Sequence, residues 1–148
     1  ATVFGRLVCD QDQSGAVAAA RWIADELPVF AMNIVLVTPG ELWALRYPET
    51  HDLLLLQRPA GGSSGSRHLE HASASGRIRV RSGELAECPA VVVATERMDE
   101  DPGWEQLDPG VLVHVGGDLA VTRATILDGP PRHPLTQERR AEPGRDHR

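Results

Sequence analysis

The stretch Asn33-Ile34-Val35-Leu36-Val37-Thr38-Pro39-Gly40-Glu41-Leu42-Trp43-Ala44-Leu45-Arg46-Tyr47 decides the reading of this chain. A first apolar run ends at the turn signal Pro39-Gly40. A second run follows, in which Trp43, Leu45 and Tyr47 alternate with Leu42, Ala44 and Arg46. Alternation with a period of two on either side of a short turn predicts a β-hairpin. After the loop Pro48-Glu49-Thr50-His51-Asp52 comes Leu53-Leu54-Leu55-Leu56, apolar at every position, as expected of an interior strand covered on both faces. The hairpin therefore reads as the middle of a buried sheet, with Trp43 on its core side beside Leu45 and Tyr47.

Upstream of the hairpin, Ala16, Ala20, Ile23 and Leu27 recur at helical spacing, and Val17 and Ala24 widen the stripe. Ser14 is placed to cap this helix and Pro28 bars its continuation beyond Leu27. Arg21, Asp25 and Glu26 fall off the stripe, so the helix is expected to lie on a sheet with one face wet, and Trp22 reads as a packing residue. Thr2 to Val8 resembles a helix entered after its start. Downstream, Val91-Val92-Val93-Ala94 reads as a second strand buried on both faces. Val111 to Val115 and Leu119 to Thr122 read as strands joined by the turn Gly116-Gly117-Asp118, with His114 on the face opposite the valines.

Composition narrows the function. A chain of 148 residues with a formal charge of -6 and a sequence pI near 5.5 lacks the concentrated basic surface of a nucleic-acid-binding protein. No apolar run approaches the ~20 residues needed to cross a bilayer, and no secretory leader pattern is visible, so a cytoplasmic protein without a membrane partner is expected. Cys9 and Cys88 form no metal-binding or redox motif and read as free thiols. From Gly129 prolines alternate with charge and apolar residues almost vanish, so residues 129–148 are expected to be a disordered tail.

Several polar groups invite a chemical reading. The small residues from Arg58 to Ser66 suggest a flexible loop, and His68 and His71 follow it at a spacing that suits two metal ligands on a helix, without a third placed ligand. A solvated loop is the preferred reading of both. Arg77-Ile78-Arg79-Val80-Arg81 has the alternation of a half-buried strand; three arginines on one face could bind an anion, and the preferred reading is an edge guarded by charge against pairing with other chains. Asp99, Glu100 and Asp101 lack the spacing of a calcium loop, and Asp101-Pro102-Gly103 reads as a turn. Thr95 and Glu96, delivered at the end of the Val91 strand, are the candidate pocket-lining residues, because sites are commonly assembled at strand ends. Hydrogen bonding of both side chains to nearby backbone amides is the structural alternative.

The hairpin residues Asn33, Pro39-Gly40, Leu42, Ala44, Arg46 and Tyr47 resemble the second half of class II glutamine amidotransferases, N-terminal-nucleophile hydrolases that take ammonia from glutamine. The block Val91 to Asp99, followed by Asp101-Pro102-Gly103-Trp104, is similar to the strand, Ser/Thr-Glu pair and tryptophan loop near the end of that domain. Together the blocks extend the resemblance over residues 3–127. It implies an α+β fold, the C-terminal part of a four-layer αββα sandwich with mostly antiparallel sheets, over residues 1–128. It also implies glutamine hydrolysis and ammonia transfer by the complete protein, with Thr95 and Glu96 in the substrate-binding position and no cofactor or metal.

The family's chemistry uses an N-terminal cysteine thiolate, its free α-amine as base and an Asn-Gly oxyanion hole. This chain begins with Ala1, has no Asn-Gly pair, and holds its single asparagine, Asn33, ahead of Ile34. No catalytic residue is therefore assigned to it. The expected partners are glutamine in the complete protein, and either a missing N-terminal half or a second copy. A non-catalytic binding or assembly module that kept the scaffold is the alternative.

Overall fold

Alternation and turn chemistry produce the hairpin where the sequence places it. The computed structural model describes residues 13–63, 68–73 and 79–136. The helical reading of Thr2 to Val8, Cys9, Arg77, Ile78 and the tail beyond Thr136 lie outside the described residues. Helix α1 (Gln13–Glu26) leads into the short strand β1 (Pro28–Val29). Ser14 therefore lies inside the first turn of the helix instead of ahead of it. The hairpin is β2 (Ile34–Thr38) and β3 (Glu41–Leu45), antiparallel from Ile34 opposite Leu45 to Thr38 opposite Glu41. Pro39 and Gly40 form the turn, and Gly40 has a φ of 120°, open to a residue without a side chain.

The following strands are β4 (Leu54–Arg58), β5 (Leu69–Ala72), β6 (Arg79–Ser82), β7 (Ala90–Ala94), β8 (Glu105–Gln106), β9 (Val111–Val115), β10 (Val121–Thr125) and β11 (His133–Pro134). The first sheet has the order β10-β9-β3-β2 and the second β7-β4-β8, both antiparallel. The turn between β9 and β10 forms at Gly116 to Ala120, where Gly116 N–H donates to Ala120 O, so the second strand starts at Val121 instead of Leu119. Leu119 takes the left-handed conformation in this turn.

The layers follow from the period of two. One face of the first sheet, with Ile34, Trp43, Leu45 and Leu112, packs under Val17, Ala20, Ile23 and Ala24 of α1. The opposite face, with Leu42, Ala44, Val113 and Val115, meets Leu53, Leu55, Val91 and Val93 of the second sheet. Leu56, Ala94 and Trp104 form a third cluster on the far face of that sheet, with Leu54, Val92 and Met98 against it. The chain is thus mixed α+β, with mostly antiparallel sheets and one helix among the described residues.

Leu55 and Leu56 point to opposite faces and both are fully buried, as the unbroken leucine run requires. The strand Val91 to Ala94 is only half-buried up to Val93, because β7 is an edge of its sheet.

Three further expectations are corrected. The hairpin is not the middle of its sheet: β3 is interior, paired with β9, but β2 is the outermost strand, and Val35 and Val37 are 44% and 71% exposed. Trp22 is 45% exposed instead of packed, because two residues from Ala20 and from Ala24 is a step of about 200° round a helix. The chain beyond Gly129 is ordered at least to Thr136. There β11 pairs in parallel with β1, Arg132 N–H donates to Ala24 O and Leu135 N–H donates to Val29 O.

Two arginines hold the loops. Arg46 is buried on β3's outgoing end, where Nε donates to His51 O, Nη2 to Glu49 O and Nη1 to Leu107 O at 2.8, 2.9 and 3.1 Å. Arg21 Nε donates to Ile126 O and so fixes α1 to the chain leaving β10. Gly110 sits where the strands converge, with φ of 77°, and a Cβ there would lie 2.1 Å from Leu127 O.

Candidate functional site

The end of β7 delivers Thr95 and Glu96 to the surface, both exposed. Among the described residues the side-chain partner of Glu96 is His71. Glu96 Oε1 lies 3.2 Å from Nε2 of His71, a half-buried residue on β5. For His71 to donate to the carboxylate, the ring proton must sit on Nε2. This contact joins the β5–β6 hairpin to the second sheet and holds Glu96 in one direction. A carboxylate so placed can receive an ammonium group or a further hydrogen-bond donor.

The loop expected around His68 and His71 is instead partly strand, since Leu69 to Ala72 pairs with Arg79 to Ser82. Strand alternation turns Glu70 and His71 to opposite faces. His68 Nε2 approaches Glu70 Oε2 at 3.1 Å, and the two histidines have different carboxylate partners, so they do not converge. The hydrogen bond from His68, with Arg81 opposite on β6, holds the Glu70 carboxyl below the usual carboxylate range. Arg79 and Arg81 are exposed on one face of β6, in keeping with the guarded-strand reading. Among the described residues no group of three or more His, Cys, Asp or Glu side chains is arranged to hold a metal ion.

Behind Glu96 the chain is tied by a polar knot. Asp99 Oδ1 accepts from the Trp104 indole Nε1 at 2.8 Å and from Asp101 N–H at 3.1 Å. Asp101 in turn accepts from Gly103 N–H at 2.9 Å and, across the loops, from Ser63 N–H at 3.0 Å. The amide of Gly103, assisted by Ser63 and by Arg58 nearby, holds the Asp101 carboxyl below its ordinary value against the opposing effect of desolvation. Buried Arg58 donates from Nη1 to Leu85 O, and Gly62 lies so close over its guanidinium that a Cβ would come within 2.8 Å. Asp99 and Asp101 are therefore spent on the Asp101-Pro102-Gly103 turn and on anchoring Trp104.

Residues that sequence reasoning did not bring together meet on the first sheet. His114 stacks on Trp43 with ring centroids 5.1 Å apart, because the two are cross-strand partners. Its Nε2 approaches Glu41 Oε1 at 3.3 Å without the alignment of a hydrogen bond. Asn33 is a structural residue, with Nδ2 donating to Asp52 O at 2.8 Å, and Cys88 is an exposed free thiol. An open apolar groove of about 470 Å³ lies along Ile23, Leu27, Phe30, Met32, Ile34 and Val35, and neither Thr95 nor Glu96 lines it. Neither a family model nor a curated protein matches this chain.

Among the described residues no helix is long and apolar enough to cross a membrane. The signal that would have joined His71 to Glu96 is not local: the residues are 25 apart in sequence and meet only through tertiary packing.

Proposed function

We propose that this chain is the C-terminal, scaffold-forming part of a class II glutamine amidotransferase-like protein, inactive alone and completed by an N-terminal half. That half would bring the nucleophilic cysteine, the oxyanion donors and most contacts to glutamine. The thiolate would attack the side-chain amide and release ammonia, and water would then cleave the thioester.

The observation that carries this reading is the face-to-face packing of two antiparallel sheets with α1 on the outer face of the first. This gives α, β and β in the order expected of the αββα sandwich. Thr95 and Glu96 at the exposed end of β7 are in keeping with a substrate-facing pair, and the direction imposed by His71 suits Glu96 to an ammonium group of glutamine. The structural uses of Asn33 and the Asp99–Trp104 loop agree with a scaffold role.

The test is ammonia release from glutamine by the purified chain and by the chain co-expressed with a Met-Cys-initiated N-terminal half from a related amidotransferase. No activity is expected alone and hydrolysis is expected from the pair. Activity of the chain alone that disappears on substituting Cys9 or Cys88 would overturn the reading. A stable but inactive complex would favour a non-catalytic assembly module.

A further inference from the structure

We propose that the outer edge of β2, which pairs with no other strand among the described residues, is a self-pairing surface, through which two copies of this chain join antiparallel about Leu36 and continue the first sheet across a two-fold axis. This inference stands apart from the amidotransferase reading. It begins with the position of β2, outermost in the order β10-β9-β3-β2. Thr38 and Glu41 close a two-residue turn, which makes them a hydrogen-bonded pair. Ile34, Leu36 and Thr38 accordingly turn their backbone groups to β3, while Val35 and Val37 turn theirs outward.

Edge strands are ordinarily guarded by charge, proline or a bulge. None of these interrupts Ile34 to Thr38, and the two outward-facing residues carry exposed valine side chains. At the other edge of the same sheet, β10 carries Arg123, which is paired with Glu105. The edge strand β7 is also free of charge, but its valines are half-buried, whereas Val35 and Val37 of β2 are exposed.

The strand also matches itself. Read from either end, Ile34-Val35-Leu36-Val37-Thr38 is a β-branched residue, valine, leucine, valine and a β-branched residue. Antiparallel pairing centred on Leu36 sets Val35 opposite Val37 of the second copy, each in a hydrogen-bonded position, and sets the two Leu36 residues opposite one another in a non-hydrogen-bonded position. No like charges meet along the seam, which decides in favour of a second copy despite the net charge of -6 on each chain. The symmetry is of the isologous kind that closes a dimer instead of extending a fibre. A five-residue seam buries less than the ~1,600 Å² of a standard interface, so association is expected to depend on concentration.

The experiment uses the full chain with Cys9→Ser and Cys88→Ser. Sedimentation over rising concentration is expected to show monomer passing to dimer. Val37→Lys, a change at an exposed position, is expected to abolish the dimer and leave the circular dichroism of the fold unchanged. Leu36→Cys is expected to give a disulfide-linked dimer on mild oxidation, because opposed residues of a non-hydrogen-bonded pair have Cα atoms ~4.5 Å apart, within disulfide reach. Thr122→Cys on β10 is expected not to cross-link. A chain that stays monomeric, a dimer that survives Val37→Lys, or a dimer in which folded Leu36→Cys fails to cross-link would each overturn the proposal.

Discussion

Arg46 gives the most demanding prediction, since it is a buried cation whose three donors all go to backbone carbonyls and which forms no ion pair among the described residues. Arg46→Met retains most of the apolar stem and removes every donor. Hydrogen bonds from a charged donor contribute ~1.5–3 kcal/mol each, but those shares do not simply accumulate here. Glu49 and His51 are exposed, so their carbonyls regain water, and the cost of desolvating the guanidinium is removed with it.

Leu107 is only 3% exposed, and its carbonyl, once unpaired, costs ~1–3 kcal/mol. Some further loss comes from freeing the Pro48 to Asp52 loop. The expected net destabilisation is about 2–4 kcal/mol, which lowers the melting temperature by roughly 6–15 °C for a domain of this size. Urea unfolding followed by circular dichroism measures it, and Arg46→Lys, able to reach a single carbonyl, should recover only part. A loss under about 1 kcal/mol with an unchanged denaturant slope would show that the three carbonyl contacts do not hold the loop.

Trp43→Ala removes the stack on His114 and a contact with the α1 cluster, and is expected to cost about 2–4 kcal/mol, read from the same unfolding curves. An unchanged melting temperature would refute its packing role. Asp101 is held below its ordinary range when folded, so its contribution is present at neutral pH and is withdrawn as pH falls below the unfolded value of ~3.9. The melting-temperature gap between the parent and Asp101→Asn should therefore narrow on acidification, and a constant gap would exclude this linkage. Tyr47, the single tyrosine, has its phenol pushed up by burial and by Asp25. Its phenolate absorbance should appear at higher pH in the folded chain than in urea, with stability lost as pH rises through the folded value, and superimposed titrations would contradict it.

The hairpin and the leucine strand were legible locally, whereas strand order and the partners of the loops depended on long-range pairing. Alternation from Leu42 to Tyr47 and the Pro39-Gly40 turn specify the hairpin register without help from the rest of the chain. Leu53 to Leu56 announces burial on both sides because no polar residue interrupts it. Strand order has no such signature: β9 lies beside β3 and leaves β2 outermost, a choice made by residues some seventy positions away. His68 to Ala72 looks like a loop by composition and becomes a strand only when Arg79 to Ser82 lies against it. Thr95 and Glu96 were legible as a strand-end pair, but His71 was not legible as the partner of Glu96. Nor did a polar, proline-rich tail reveal that His133 and Pro134 pair with β1, since a two-residue bridge needs no hydrophobic pattern.

That bridge also bears on how the chain is made. Pro28 and Val29 are synthesised more than a hundred residues before their partners His133 and Pro134. The end of α1 and the groove beside it must wait until that segment has been made, and pairing over such separation slows folding. On the ribosome, the first sheet is similarly incomplete until β9 has emerged from the exit tunnel. A nascent chain paused before that point presents the unpaired edge of β3 together with that of β2, and it is then that a chaperone has the most to hold.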